Sequence, residues 1–217
     1  MTCAEPLPES GRSSKAVDSP EVQSLMETFT SQNHRIELTD CGVSYNNQRV
    51  KLGKDTISDV VEVLGPYDFY NGGFYVWEEA GISFANFTSR KEDLGARIDT
   101  AKIYFEAKVD ERDREQLKHM LVLNKDYILF NGVPINHSTS VKDFFERSTY
   151  EFGDFEISSH SYKISTTCEE QGVVIDYFFD AIGGWNYGGG GHLRYKTDID
   201  KNNQNLITRI SVDLYIE

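Results

Sequence analysis

The sequence predicts an α+β fold made of two tandem repeats, each an antiparallel sheet with one packed helix, preceded by a flexible N-terminal tail and a short helix. Three observations lead there. Aromatic residues make up 12% of the chain, with 12 Tyr and 13 Phe against five Pro, and such side chains suit pleated, half-buried surfaces. Apolar and polar residues alternate over several short runs, the pattern of strands with one buried face. The chain also reads twice, in matched blocks that keep their order.

Residues 1–18 are rich in Ser, Pro and Glu and form the tail. The short helix occupies 19–33. Ser19 caps it, Pro20 takes the first helical position, and Val22, Leu25, Met26 and Phe29 share one face. The first repeat spans 34–108 and opens with "RIELTDCGVSYNNQRV", read as an apolar strand, a polar turn, a second strand ending in Tyr45-Asn46-Asn47 and a third short strand ending at Val50. A helix follows at "DTISDVV", capped by Asp55 or Thr56 and ended by Gly65-Pro66. "FYVWEEAGISFANF" reads as a hairpin with glycine beside its turn, and "RIDTAKIYFE" as the closing strand.

A charged linker, 109–119, leads to the second repeat, 120–217. Its strands are "MLVL", "YILFN" and "VPI", and its helix "TSVKDFF" is capped by Thr139 or Ser140. Ile57 matches Val141, Asp59 matches Asp143, and Val60-Val61 match Phe144-Phe145. The hairpin "YKISTTCEEQGVVIDYFF" and the strand "LITRISVDLYIE" complete the parallel. A unit this small buries only a modest core. Two such sheets side by side each cover an edge, with helices on one side and a broad face left open to a partner.

The second repeat departs from the first by an insertion at 180–205 that holds four consecutive glycines, Gly188 to Gly191. A phosphate cradle needs a helix directly after its glycines. Here "HLRYKTDID" alternates like a strand instead. Loop insertions carry binding residues, and Trp and Tyr dominate interface hot spots. Trp185, Tyr187, His192 and Tyr195 are therefore the expected partner contacts.

Charge limits what the partner is. Lys plus Arg total 22 and Asp plus Glu 35, a net charge of −13. Nucleic-acid binding needs clustered cations, so direct contact with it is not expected; a basic protein fits better. No apolar run approaches the roughly 20 residues of a membrane span. The cysteines, Cys3, Cys41 and Cys168, are odd in number and lack metal-ligand spacing. They read as free thiols of a cytoplasmic protein, with a periplasmic lipoprotein as the alternative if a leader preceded Cys3. An exposed sheet edge leaves room for a homodimer.

No catalytic set, cofactor site or metal site is expected. His34, His119, His137, His160 and His192 are scattered, and no Cys-x-x-Cys exists. Glu78-Glu79 and Glu169-Glu170 read as solvated turn residues, because neighbours in a strand point to opposite faces. A hydrolase built near His160, Cys168 and His192 is a further alternative.

The tandem αβ units resemble the architecture of β-lactamase-inhibitory proteins. The order "VKLGKDTISDVVEVLGPYD…YVWEEAGISF", with "LFNGVPIN" opening the second unit, is more specifically similar to bacterial immunity proteins of type VI secretion and related polymorphic toxin systems. The resemblance covers roughly 35–217 and implies tight, non-enzymatic neutralisation of a cognate toxin, in one case a nuclease whose phosphate cleft accepts negative charge. It carries over no contact residues.

Overall fold

The computed structural model describes residues 19–71, 73–86, 91–105, 124, 126–148, 156–158, 161–180, 186–188, 192–194, 206–207 and 209–215. Its architecture is α+β and mostly strand. The expected tail, 1–18, and linker, 109–119, lie outside the described residues.

Helix α1 (Pro20–Ser31) starts as its sequence requires, with the Ser19 side chain accepting from Val22 N at 3.2 Å and Pro20 in the first turn. Of its predicted apolar face, Val22 and Phe29 are buried, and Leu25 and Met26 are half-buried. Strands β1 (Ile36–Thr39), β2 (Gly42–Tyr45) and β3 (Gln48–Val50) follow. Asn46 and Asn47 both adopt positive φ, 47° and 67°, which is what a two-residue hairpin matched to strand twist needs. The pair β8 (Ile128–Phe130) and β9 (Val133–Ile135) turns the same way through Asn131 and Gly132.

Helix α2 (Ile57–Leu64) is capped by Thr56, and α3 (Val141–Arg147) by Ser140. Each cap forms a capping box, with Asp59 and Asp143 reaching back to the cap backbone at 2.7 and 3.0 Å. These bonds hold the Asp59 carboxyl below its ordinary range.

The remaining strands are β4 (Phe69–Asn71), β5 (Phe74–Trp77), β6 (Ile82–Ala85), β7 (Thr100–Tyr104), β10 (Glu156–Ser158), β11 (Ser161–Cys168), β12 (Val173–Asp180), β13 (Asn186–Gly188), β14 (His192–Arg194) and β15 (Arg209–Leu214). Gly81 and Gly172 adopt positive φ in the two hairpin turns, as their sequence position predicts. At Gly81 a side chain would also collide with Asn124, whose Cα lies 2.6 Å from where a Cβ would stand.

The expectation of one antiparallel sheet per repeat is corrected by the strand order. One sheet runs β3-β2-β1-β8-β9 and the other β10-β11-β12-β15-β7-β6-β5-β4. Each draws strands from both halves of the chain. In the short sheet β1 pairs antiparallel with β2 but parallel with β8, so that sheet is mixed. Antiparallel pairing of β7 with β15 joins the long one. The physical reason is edge coverage: strands left unpaired at the boundary of two small sheets find partners in each other.

One core lies between the two sheets and helices α2 and α3. Ile36 and Leu38 of β1, Ile57 and Val60 of α2, Phe144 of α3 and Tyr177 and Phe179 of β12 all belong to it. The Phe130 ring sits 5.0 Å from both Tyr177 and Phe179 and 5.9 Å from Phe144. Beside it Tyr177 Oη accepts from Gly42 N at 3.1 Å and donates to Thr39 O.

The β1–β2 turn is also tied covalently. Cys41 and Cys168 form a disulfide across 127 residues of sequence, with Thr166 Oγ1 donating to Asp40 O at 3.1 Å alongside. The free thiols read from the odd cysteine count are therefore corrected. Fold proximity pairs two cysteines whose spacing in sequence carries no signal.

Candidate functional site

Two of the predicted contact residues, Tyr187 and His192, fall on a separate two-stranded ribbon. β13 pairs antiparallel with β14, placing Tyr187 opposite Leu193 and Gly188 opposite His192. Gly188 closes one strand and His192 opens the other, so "HLR" is a strand as its alternation predicts. Trp185 and Tyr195 lie outside the described residues.

The broad face expected to stand open is closed at its centre. On the side of the long sheet away from the core, Thr100 is 1% exposed and Asp176 and Ser211 are each 5% exposed. Pleating puts them there, because the core claims their neighbours Ala101, Ile175, Tyr177, Ile210 and Val212. Register then aligns Ser165, Asp176, Asp213 and Thr100 on four adjacent strands. Ser165 Oγ donates to Asp176 Oδ1 at 2.6 Å, Lys163 Nζ lies 3.3 Å from Asp176 Oδ2, and Thr100 Oγ1 donates to Asp213. Lys102 sits over the Phe74 ring at 4.4 Å and Arg209 over Tyr104 at 5.8 Å.

Burial pushes the Asp213 carboxyl above its ordinary range, and the negative charge of Asp176 pushes the same way. The Thr100 hydroxyl, Lys102 and Arg209 only partly offset this. The layer is a network of carboxylates, cations and hydroxyls, buried at Thr100, Asp176 and Ser211 and exposed at Ser165, and its pairing pins the strand register. Its sequence signal was a single carboxylate inside each apolar run, "VVIDYFF" and "ISVDLY".

A raised carboxyl favours the folded state most when protonated. Its contribution is complete below the unfolded pKa and is lost as pH rises through the folded one. Asp213→Asn keeps an acceptor for Thr100 and removes the charge. The variant is expected to gain stability relative to the native chain as pH rises from the ordinary carboxyl range towards neutrality, since only the native chain then has to ionise this carboxyl. Urea unfolding across that range checks it; a constant difference would remove Asp213 from the account.

Both acidic turns are exposed, as read from sequence, and each also meets a base from the other sheet region. Glu79 lies 3.5 Å from His34 Nε2, and Glu170 lies 2.6 Å from Arg49. The hydrolase alternative loses its thiol, since Cys168 is buried and disulfide-bonded. His160 lies outside the described residues. Among the described residues no group of three or more His, Cys, Asp or Glu is arranged to hold a metal ion, and no helix is long and apolar enough to cross a membrane.

The family DUF7738, a domain of unknown function, matches residues 35–144. That stretch holds the whole short sheet, both capping boxes and strands β4 to β7, while the ribbon lies beyond it. No curated protein and no solved structure matches the chain. Since the match covers slightly more than half of its residues, the chain belongs to the DUF7738 family.

Proposed function

We propose that this chain is an immunity protein, which binds a cognate bacterial toxin and neutralises it by direct contact, without catalysis of its own. The observation that carries the reading is charge: a net −13, with exposed carboxylates at both hairpin turns, Glu78-Glu79 and Glu169-Glu170. Such a potential speeds encounter with a basic protein and repels nucleic acid. A basic nuclease is one toxin it suits, protein carboxylates taking the place of phosphates. Tyr187 and His192 of the ribbon, with Trp185 and Tyr195 next to its strands in sequence, are the proposed contact of the second half.

The same reading includes an internal duplication. In its favour, the bridge Thr56–Arg97 has a counterpart in Ser140–Leu206, each starting at a helix cap. The long sheet also runs symmetrically outward from β7 and β15, with Lys102 opposite Ser211 at the middle of that pair. Two copies of one supersecondary unit, related about that point, account for both features.

Co-expression with the product of the adjacent gene tests the proposal. Survival of cells that otherwise die is the expected result. Death despite accumulation of this chain would overturn it.

The disulfide favours a second reading of where the chain works. Disulfides persist in oxidising compartments and are rare in the cytosol. Cys41–Cys168 therefore supports an envelope protein, the setting of a chain tethered through Cys3, over the cytoplasmic location. Thiol alkylation in intact cells separates the two: Cys41 and Cys168 blocked by each other support the envelope, and both alkylated support the cytosol.

A further inference from the structure

The end of α2, edge strand β4 and residues 91–95 build a surface with an aromatic centre, an aliphatic tip and carboxylates beside them. Tyr67 follows the helix end, its ring edge-on to Tyr75 at 5.2 Å and to Trp77 at 6.1 Å. Trp77 is itself fixed, because its Nε1 donates to Gly65 O at 2.8 Å. The Tyr67 hydroxyl donates to Glu92. Tyr70 packs on Tyr75 at 4.8 Å, and its buried Oη has no hydrogen-bond partner among the described residues.

Leu94 is 43% exposed on a segment that is tied down. Ser58 N donates to Leu94 O at 2.9 Å and Ile57 N to Ala96 O at 3.1 Å, while Asp93 N donates to Tyr75 Oη. A lone exposed leucine needs no explanation. This one projects from a fixed loop beside a fixed, half-exposed aromatic ring, with the exposed carboxylates of Glu92 and Asp93 next to both. Groups already held in place lose little freedom on binding. Ring face and carboxylates together attract a guanidinium or ammonium group.

The geometry points to this surface as a contact for a basic protein partner, whose arginine or lysine lies against Tyr67 beside Glu92 while an apolar side chain covers Leu94. The inference rests on the toxin-binding reading and gives it a second contact, inside the 35–144 family match and apart from the ribbon. Both sides of the charge argument are present: the chain carries −13 overall, and the patch supplies the local carboxylates.

The test titrates the adjacent gene's product into the full chain and into Leu94→Ala, Glu92→Lys and Tyr187→Ala variants. Leu94 and Glu92 are exposed, and unchanged melting curves verify that all three variants stay folded. Leu94→Ala and Glu92→Lys are each expected to weaken binding by about tenfold or more, the loss typical of an interface anchor. Glu92→Lys should also flatten the dependence on salt. Native affinity in both variants would overturn this contact while leaving the toxin-binding reading intact. No complex with the unaltered chain would overturn both.

Discussion

Replacing Cys41 and Cys168 together by alanine is expected to lower the unfolding free energy by about 3–5 kcal/mol. The bond joins positions 127 residues apart, and the entropy it removes from the unfolded chain grows, slowly, with that separation. It also holds the β1–β2 turn against the end of β11, where Tyr177 and Thr166 provide hydrogen bonds that cannot close a loop covalently. For a chain of this size the loss corresponds to a fall of roughly 10 °C in Tm. Thermal unfolding of the native chain with and without reductant, beside the double variant, measures it. Reductant should shift the native chain towards the variant and leave the variant unmoved. Equal melting of all three would show that the cross-link contributes nothing.

Phe130→Ala should cost about 3–5 kcal/mol, the range for deleting a buried aromatic ring. Phe130 is fully buried and brings together three layers of structure: β8 of the short sheet, α3 through Phe144, and β12 through Tyr177 and Phe179. Removing the ring leaves a cavity that no single element can collapse to fill. Phe130→Leu keeps most of the volume and should cost less, about 1.5 kcal/mol. Urea unfolding of both variants checks the difference. Because Tyr177 touches Phe130 and anchors the turn that carries Cys41, the ring and disulfide variants should combine non-additively. An Ala cost as small as the Leu cost would mean the three layers do not depend on this ring.

What the sequence made legible was local. Asn46-Asn47 and Asn131-Gly132 mark the ends of the second strands as expected, and their positive φ makes them tight hairpin turns. Thr56, Ser140 and their paired aspartates announce helix starts because a side-chain oxygen must meet orphan amides. Pairing between distant strands left no such mark. β1 beside β8, and β7 beside β15, are choices among several apolar strands of similar pattern. The disulfide was hidden by arithmetic, since Cys3 made the count odd although Cys41 and Cys168 suffice for a pair. The buried polar layer did leave a trace, in Asp176 and Asp213 set within apolar runs. Expecting an open outer face obscured it. Of the ribbon only the strand opened by His192 was legible, and a contact role for the aromatic residues is a proposal about a partner.

Calorimetric titration of the purified chain with the purified product of the adjacent gene tests toxin neutralisation most directly. The account predicts a one-to-one complex that is tight at low salt and weakens as salt screens the carboxylates of Glu92 and its neighbours. Absence of binding at micromolar concentrations, or affinity indifferent to salt, would contradict it.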